Sequence, residues 1–274
     1  MIKAAVLGSP ISHSLSPVLH REAYRYLGIE GSYEAIDVTS DDLPRFLKEL
    51  DGSWSGFSLT MPLKERVLDV TTSAEPLALR IASANTLIDE DGRWRALTTD
   101  VNGFRAAVDE HHCGEFSTIG ILGSGATARA AAAAFDGEGR SITIVHRSMH
   151  REGAMRQAAP RSDLNFLPWD SPVPGFDLFV NTTPHGVADA LVHSGSISMG
   201  GILFEALYDP WPTLLLATWK SRGLKCIDGL DLLVHQAIDQ VALMTRHAIS
   251  REEMAPIMRQ AGLDQLLGRT VHKL

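Results

Sequence analysis

Short apolar runs bounded by turn residues alternate along this chain with longer stretches whose apolar positions recur at helical spacing. Such alternation points to βα units and a mainly parallel sheet, since a doubly covered strand reads as a continuous apolar run and its crossover helix as a 3.6-residue stripe. The N-terminal half opens on a strand near Lys3–Leu7. Ser16 before Pro17 reads as an N-cap and first helical position, with Leu19, Ala23 and Leu27 on one face behind it. Ser32–Val38 reads as a second strand, Ser40 as the cap of a helix presenting Leu43, Phe46, Leu47 and Leu50, and Gly56–Leu59 as a third strand. Thr86–Ile88 and Trp94–Leu97 form a strand pair across the Asp91-Gly92 turn.

Val101–Glu110 is helical in period and leads to a new start at Thr118, where we place a domain boundary. Thr118–Leu122, Ile142–Val145, Leu178–Val180 and Ile202–Phe204 read as buried strands, and Ala130–Phe135 as part of an alanine-rich helix. Leu230–Ala248 and Arg251–Leu267 are helical without strands of their own, so they must pack on an earlier domain. The fold class is α/β: an N-terminal α/β domain (1–101), a Rossmann-like dinucleotide-binding domain (102–229), and C-terminal helices (230–274) returning to the first.

Length and charge narrow the partners. A chain of 274 residues has room for about two domains. A formal net charge of -8 argues against nucleic acid, because a polyanion needs a basic face, but leaves room for a small anionic ligand. Two distant cysteines, Cys113 and Cys226, exclude a disulfide framework and fit a reducing cytoplasm. The run His111-His112-Cys113 is not expected to bind metal, since adjacent side chains point apart and no second ligand pair sits nearby in the sequence. The first apolar run is too short for a signal peptide, and no stretch approaches the ~18 apolar residues of a membrane span.

The strand at Thr118–Leu122 runs into Gly123-Ser124-Gly125-Ala126-Thr127-Ala128 and then a helix. In that context Gly123 permits a tight turn, Gly125 lets backbone N–H groups reach a pyrophosphate, and Ala128 allows close helix–strand packing. At the end of the next strand, where NAD enzymes place a carboxylate for the ribose 2′-hydroxyl, stand His146, Arg147 and Ser148, with Arg151 a turn further on. Guanidinium groups there favour a 2′-phosphate and hence NADP(H).

Three polar segments of the first half flank strand ends: Gly8-Ser9-Pro10-Ile11-Ser12-His13-Ser14-Leu15-Ser16-Pro17, Ser58-Leu59-Thr60-Met61-Pro62-Leu63-Lys64, and Ser83-Ala84-Asn85-Thr86-Leu87. With Leu97-Thr98-Thr99-Asp100 and Gly229-Leu230-Asp231-Leu232-Leu233-Val234-His235-Gln236-Ala237, they resemble the shikimate dehydrogenases along nearly the whole chain. The resemblance implies an NADP-dependent oxidoreductase of aromatic biosynthesis that reduces 3-dehydroshikimate to shikimate, with its active site in the cleft between two domains. It implies Lys64 and Asp100 as the catalytic pair, Ser14 and Ser16 at the substrate carboxylate, Thr60, Asn85 and Gln236 at the ring hydroxyls, and Tyr208 on the substrate side. It also places Gly123, Ser124, Gly125, Ala126, Thr127, His146, Arg147, Ser148, Arg151, Ala206 and Gly229 at the cofactor, with no metal.

Elementary chemistry agrees with that assignment. A small carboxylated ring with several hydroxyls needs many hydrogen-bonding side chains and few apolar ones. Hydride transfer to a ketone leaves an alkoxide, which a lysine ammonium can stabilise and protonate while a neighbouring carboxylate orients the reacting hydroxyl. Four positions depart from the family pattern. Ser58 and Thr98 stand where asparagine is usual, Ala126 takes a glycine-type position, and His146 replaces the asparagine before the arginine. They bear on substrate choice and affinity and leave the Lys64/Asp100 pair and the reaction type intact. Three other readings compete: a paralogue acting on quinate or an aminoshikimate-type analogue, a silent NADP-binding sensor, and methylenetetrahydrofolate dehydrogenase. The two arginines disfavour an NAD-preferring quinate enzyme, retention of Lys64 and Asp100 disfavours the sensor, and Ser14 with Ser16 disfavours the last. The expected molecule is cytoplasmic, binds neither nucleic acid nor membrane, and works as a monomer or homodimer on a small-molecule substrate.

Overall fold

The computed structural model describes residues 1–271 and divides into two compact units, Met1–Thr99 joined by the segment that starts at Leu233, and Asp100–Leu232. In the first unit run β1 (Ile2–Gly8), α1 (Ser16–Leu27), β2 (Gly31–Asp37), α2 (Leu43–Glu49), β3 (Gly56–Leu59), α3 (Leu63–Val70), β4 (Ser73–Ala74), α4 (Pro76–Arg80), β5 (Thr86–Glu90) and β6 (Arg93–Leu97). The second unit starts with α5 (Asp100–Glu110), β7 (Thr118–Leu122), α6 (Ala126–Ala134) and β8 (Ser141–His146), then a 3₁₀ turn over Met149–Arg151 and α7 (Glu152–Ala158). It continues through β9 (Asp163–Pro168), β10 (Leu178–Asn181), α8 (Asp189–Ser194), β11 (Ile202–Glu205), α9 (Leu214–Ser221) and β12 (Cys226–Ile227). Two helices close the chain, α10 (Gly229–Thr245) and α11 (Arg251–Val271).

The first sheet has the order β2-β1-β3-β5-β6-β4 and is mixed. Its strands β2, β1 and β3 are parallel, whereas β5 runs antiparallel to both neighbours. The reversal follows from the β5–β6 hairpin, whose Asp91 (φ 56) and Gly92 (φ 80) both take the left-handed conformation that a two-residue turn of the right twist requires. The expected mainly parallel arrangement describes the second sheet instead. All its pairings are parallel, in the order β9-β8-β7-β10-β11-β12, the doubly wound dinucleotide-binding order with its switch point between β7 and β10.

Two expected caps are corrected by the structure. Ser16 is the first residue of α1 rather than its cap, and the Oγ of Ser14 accepts the Ser16 N–H (3.3 Å), because the helix begins one residue earlier than the Ser-Pro step suggested. Before α2, Thr39 rather than Ser40 supplies the hydroxyl, accepting the Asp42 N–H at 3.3 Å. Near the second unit's C-terminal edge, His111 Nε2 meets the buried Asp231 carboxylate at 3.1 Å, and Glu110 brings a third ligand-type atom within 4.8 Å of these two. The sequence had offered His111 no partner, because Asp231 lies 120 residues away.

In the first unit α11 packs along α1, and Arg251 ties it to α10 through the His235 carbonyl (2.8 Å) and the Asp239 carboxylate. On the buried face of α1 sits His20, fully buried and stacked on Tyr33 at a centroid distance of 3.8 Å, with no hydrogen-bond partner for either ring nitrogen among the described residues. Burial pushes its pKa down to about 3, only partly offset by the nearby Gln240 amide. The unfolded chain takes up this proton near pH 6.5 while the native chain refuses it to about pH 3, so His20 lowers stability as pH falls through that window. The expected loss is about 2 kcal/mol between pH 7.5 and pH 5. His20→Phe should flatten this part of a urea-denaturation series against pH; an equally steep series would remove His20 as the cause.

Candidate active site

The candidate site residues of the first unit stand largely at strand ends. The β1 and β3 register pairs Val6 with Ser58 and Leu7 with Leu59, so the chain leaves both strands side by side. Thr60 N–H donates to the Leu7 carbonyl (2.9 Å), and the loop presses so closely on Gly8 that a Cβ there would stand 2.5 Å from Thr60 Cγ2 and 2.9 Å from the Met61 carbonyl oxygen. Only glycine fits that approach. Lys64 sits in the first turn of α3, half-buried, and its backbone carbonyl accepts the Ala84 N–H (2.8 Å), which fastens α3 to the Ser83–Asn85 loop. Ser14 and Ser16 are both buried at the start of α1.

Asn85 is the hub of the unit. It is buried, and its Nδ2 donates to Thr99 Oγ1 (2.9 Å) and Gln236 Oε1 (3.1 Å). Its Oδ1 accepts from the Thr99 N–H (2.8 Å) and the Thr86 hydroxyl (2.9 Å). Residues that are scattered along the sequence, Asn85, Thr99 and Gln236, thus meet as one buried cluster. Of the two departures from the family pattern here, Ser58 donates to Gln240 Oε1 (2.7 Å) and accepts from the Tyr33 hydroxyl. Thr98 donates its N–H to Glu75 Oε1 (2.6 Å), while its buried hydroxyl has no partner among the described residues. Motif reasoning missed Gln240 and Tyr33 and gave Thr86, inside the Ser83–Leu87 segment, no role; the available signal was that each is a polar side chain in an element that is otherwise largely buried.

In the second unit Asp100 is buried at the first turn of α5. The turn after β7 is built for close approach. Gly123 has φ +102, and a Cβ on it would lie 2.8 Å from Thr182 Oγ1. Gly125 stands at the N-cap of α6, Ser124, Ala126 and Thr127 are half-buried around it, and Arg151 Nη1 would lie 3.7 Å from a Cβ on Gly125. A bare glycine turn, a helix N-terminus and a guanidinium suit the diphosphate and an added phosphate of a dinucleotide. Arg147 is exposed and Ser148 half-buried on the loop after β8. His146 is turned inward: Nδ1 lies 2.7 Å from the Ser148 carbonyl and Nε2 3.5 Å from Glu152 Oε1, so its ring shapes the loop that carries the arginines.

At the next strand ends, buried Glu205 accepts both Asn181 Nδ2 hydrogen bonds (3.0 Å each), the Thr213 hydroxyl (2.8 Å) and the Leu207 N–H (3.2 Å). Burial raises its pKa, and these donors oppose the shift. The arrangement fixes the Ala206–Tyr208 segment, in which Tyr208 is half-buried. Gly229 completes it, since a Cβ there would fall 2.4 Å from the Leu207 carbonyl carbon and oxygen and 2.8 Å from the Ala206 oxygen. Gly229→Ala is therefore expected to force this backbone apart and lower stability by about 1–3 kcal/mol. A thermal melt superimposing on the wild-type curve would contradict it.

A parallel sheet in dinucleotide-binding order with its glycine turn defines the class, a dinucleotide-dependent enzyme. Comparison with known proteins narrows this. Residues 6–87 match the shikimate dehydrogenase substrate binding domain. The NADP(+) shikimate dehydrogenase of Rhizobium rhizogenes is 34% identical over 252 residues, covering 86% of each chain. The crystal structure of Mycobacterium tuberculosis shikimate dehydrogenase superposes with a TM-score of 0.83 at 34% identity, covering 94% of this chain and 99% of that one. The shikimate 5-dehydrogenase of Thermus thermophilus, solved in complex with NADP(H) and shikimate, gives 0.82 at 32% identity, covering 95% and 100%. The chain belongs to the shikimate dehydrogenase family.

Proposed function

We propose that this chain is an NADP-dependent shikimate dehydrogenase, interconverting 3-dehydroshikimate and shikimate in aromatic biosynthesis. The buried hydrogen-bonding cluster of Asn85, Thr99 and Gln236 carries this reading, because a hydroxyl-bearing ring acid needs several polar side chains gathered at one place and an apolar substrate does not. When bound, the nicotinamide cofactor supplies or accepts the hydride. Lys64 Nζ gives a proton to the carbonyl oxygen as it becomes an alkoxide and takes one back in the oxidation direction, while Asp100 orients the reacting hydroxyl. Ser14 and Ser16 hold the carboxylate, Thr60, Asn85 and Gln236 hold the ring hydroxyls, and Tyr208 faces the substrate.

Gly123, Ser124, Gly125, Ala126 and Thr127 cradle the diphosphate. Arg147 and Arg151, on the loop shaped by His146 and Ser148, take the 2′-phosphate, and Ala206 and Gly229 complete the cofactor-binding set. The domains follow these roles: substrate binding and catalysis in 1–101, NADP binding in 102–229, and helical support from 230–274. The enzyme works in the cytoplasm as a monomer or homodimer; among the described residues no helix is long and apolar enough to cross a membrane. Action on quinate or an amino analogue has one observation behind it. The Ser58 hydroxyl is engaged by Tyr33 and Gln240, which removes a group the family usually offers as an amide.

The deciding experiment is to incubate the purified protein with shikimate and either NADP⁺ or NAD⁺ and follow reduced nicotinamide by absorbance. Turnover with NADP⁺ is expected. Turnover with neither cofactor would overturn the reading, and turnover confined to quinate with NAD⁺ would establish the second one.

A further inference from the structure

We propose that Gln240 is a positioning residue for the substrate, acting through Thr86 to fix which way the Asn85 amide faces. This rests on Asn85 serving as a ligand of the ring hydroxyls. Gln240 lies four residues after Gln236 on α10, so both amides project from the same helical face. Both are buried, and a buried amide is costly unless every group is paired. Gln240 meets that demand. Its Nε2 donates to the Asn85 carbonyl (3.0 Å) and to Thr86 Oγ1 (3.1 Å), and its Oε1 accepts from Ser58 (2.7 Å).

The direction of each bond gives the network its consequence. Ser58 receives the Tyr33 hydroxyl proton, so its own proton points to Gln240, and this identifies the Gln240 oxygen and leaves its nitrogen facing Thr86. Thr86 must then accept from Gln240, so its one hydroxyl proton goes to Asn85 Oδ1 (2.9 Å). With Oδ1 fixed on that side by Thr86 and by the Thr99 N–H (2.8 Å), Asn85 Nδ2 is left facing Gln236 (3.1 Å). The chain from Tyr33 to Asn85 therefore selects one of two nearly isosteric amide orientations. Without the Gln240 donor, the Thr86 hydroxyl can rotate and one of the restraints against a flipped Asn85 is gone. A flipped amide would offer an acceptor where the substrate site presents a donor. In this role Gln240 touches no substrate itself.

The test compares Gln240→Leu and Thr86→Val, each with and without Asn85→Ala, by steady-state kinetics with shikimate and NADP⁺. Both single variants are expected to raise the KM for shikimate about tenfold, the effect of losing roughly one ordered hydrogen bond, with the KM for NADP⁺ unmoved. Thr86→Ser, which keeps the hydroxyl, should regain most of that loss. In the Asn85→Ala background neither change should raise KM further, since the group they orient is gone. A purely structural role predicts the same fold-loss in both backgrounds and no rescue by serine; that outcome, or an unchanged KM in both single variants, overturns the proposal. Should Gln240→Leu fail to fold, Thr86→Val carries the same comparison. Failure of the functional reading looks different: the wild-type chain itself would not oxidise shikimate, or Asn85→Ala would leave its KM unaltered.

Discussion

Lys64→Ala is expected to lower kcat by roughly 10²–10⁴ while leaving the fold intact, because it removes the group proposed as general acid/base at the reacting oxygen. The fold should survive because the contact that fastens this turn of α3 is made by the Lys64 backbone carbonyl to the Ala84 N–H, which alanine keeps. Alanine is also the most helix-favouring residue. A loss in kcat with little change in the KM for NADP⁺ would separate chemistry from cofactor binding. A decrease of less than about tenfold would show that another group handles the proton.

The second large effect concerns the choice of cofactor. Arg147→Ala should weaken NADP⁺ binding by about 10- to 100-fold, the range for a lost charge-assisted hydrogen bond, and leave NAD⁺ binding nearly unaltered. Arg151→Ala should differ in pattern. Its guanidinium stands over the Gly125 turn, so part of its loss should appear with NAD⁺ as well. Titration of both cofactors against both variants checks the assignment, and equal losses for Arg147→Ala with the two cofactors would refute a 2′-phosphate role for that residue.

The elements most legible in the sequence were those whose apolar run was unbroken or whose turn chemistry was specific. The doubly covered strands β7, β8, β10 and β11 and the Asp91-Gly92 hairpin are of this kind. The two-residue strands β4 and β12 were not, because two residues show no pattern, and neither was α4, whose five residues make little more than one helical turn. The Ser16 cap misled because Ser-Pro is good N-terminal chemistry in two registers, and only the backbone shows that Leu15 takes the cap position. Motif order singled out candidate site residues in both units but not their mutual bonding. Ser58 and Gln240 are 182 positions apart, and no local pattern couples them. His146 illustrates the reverse case: its place at the strand end was legible, but its inward turn depends on Glu152 and on the Ser148 carbonyl.

The alanine run of α6 reaches beyond packing. From Ala128 to Ala134 every residue is buried, and apart from Arg129 each presents only a methyl group. A rod this thin, covered all round, has no flexible side chains to absorb an added methylene, so enlargement at Ala130 or Ala132 would move the rod itself. The glycine turn is its leading end and would be carried along. Nucleotide affinity in this protein should therefore be sensitive to substitutions roughly 8–10 Å along the helix axis from the Gly125 turn (about 1.5 Å of travel per residue), and tolerance there should extend little beyond glycine, alanine and serine.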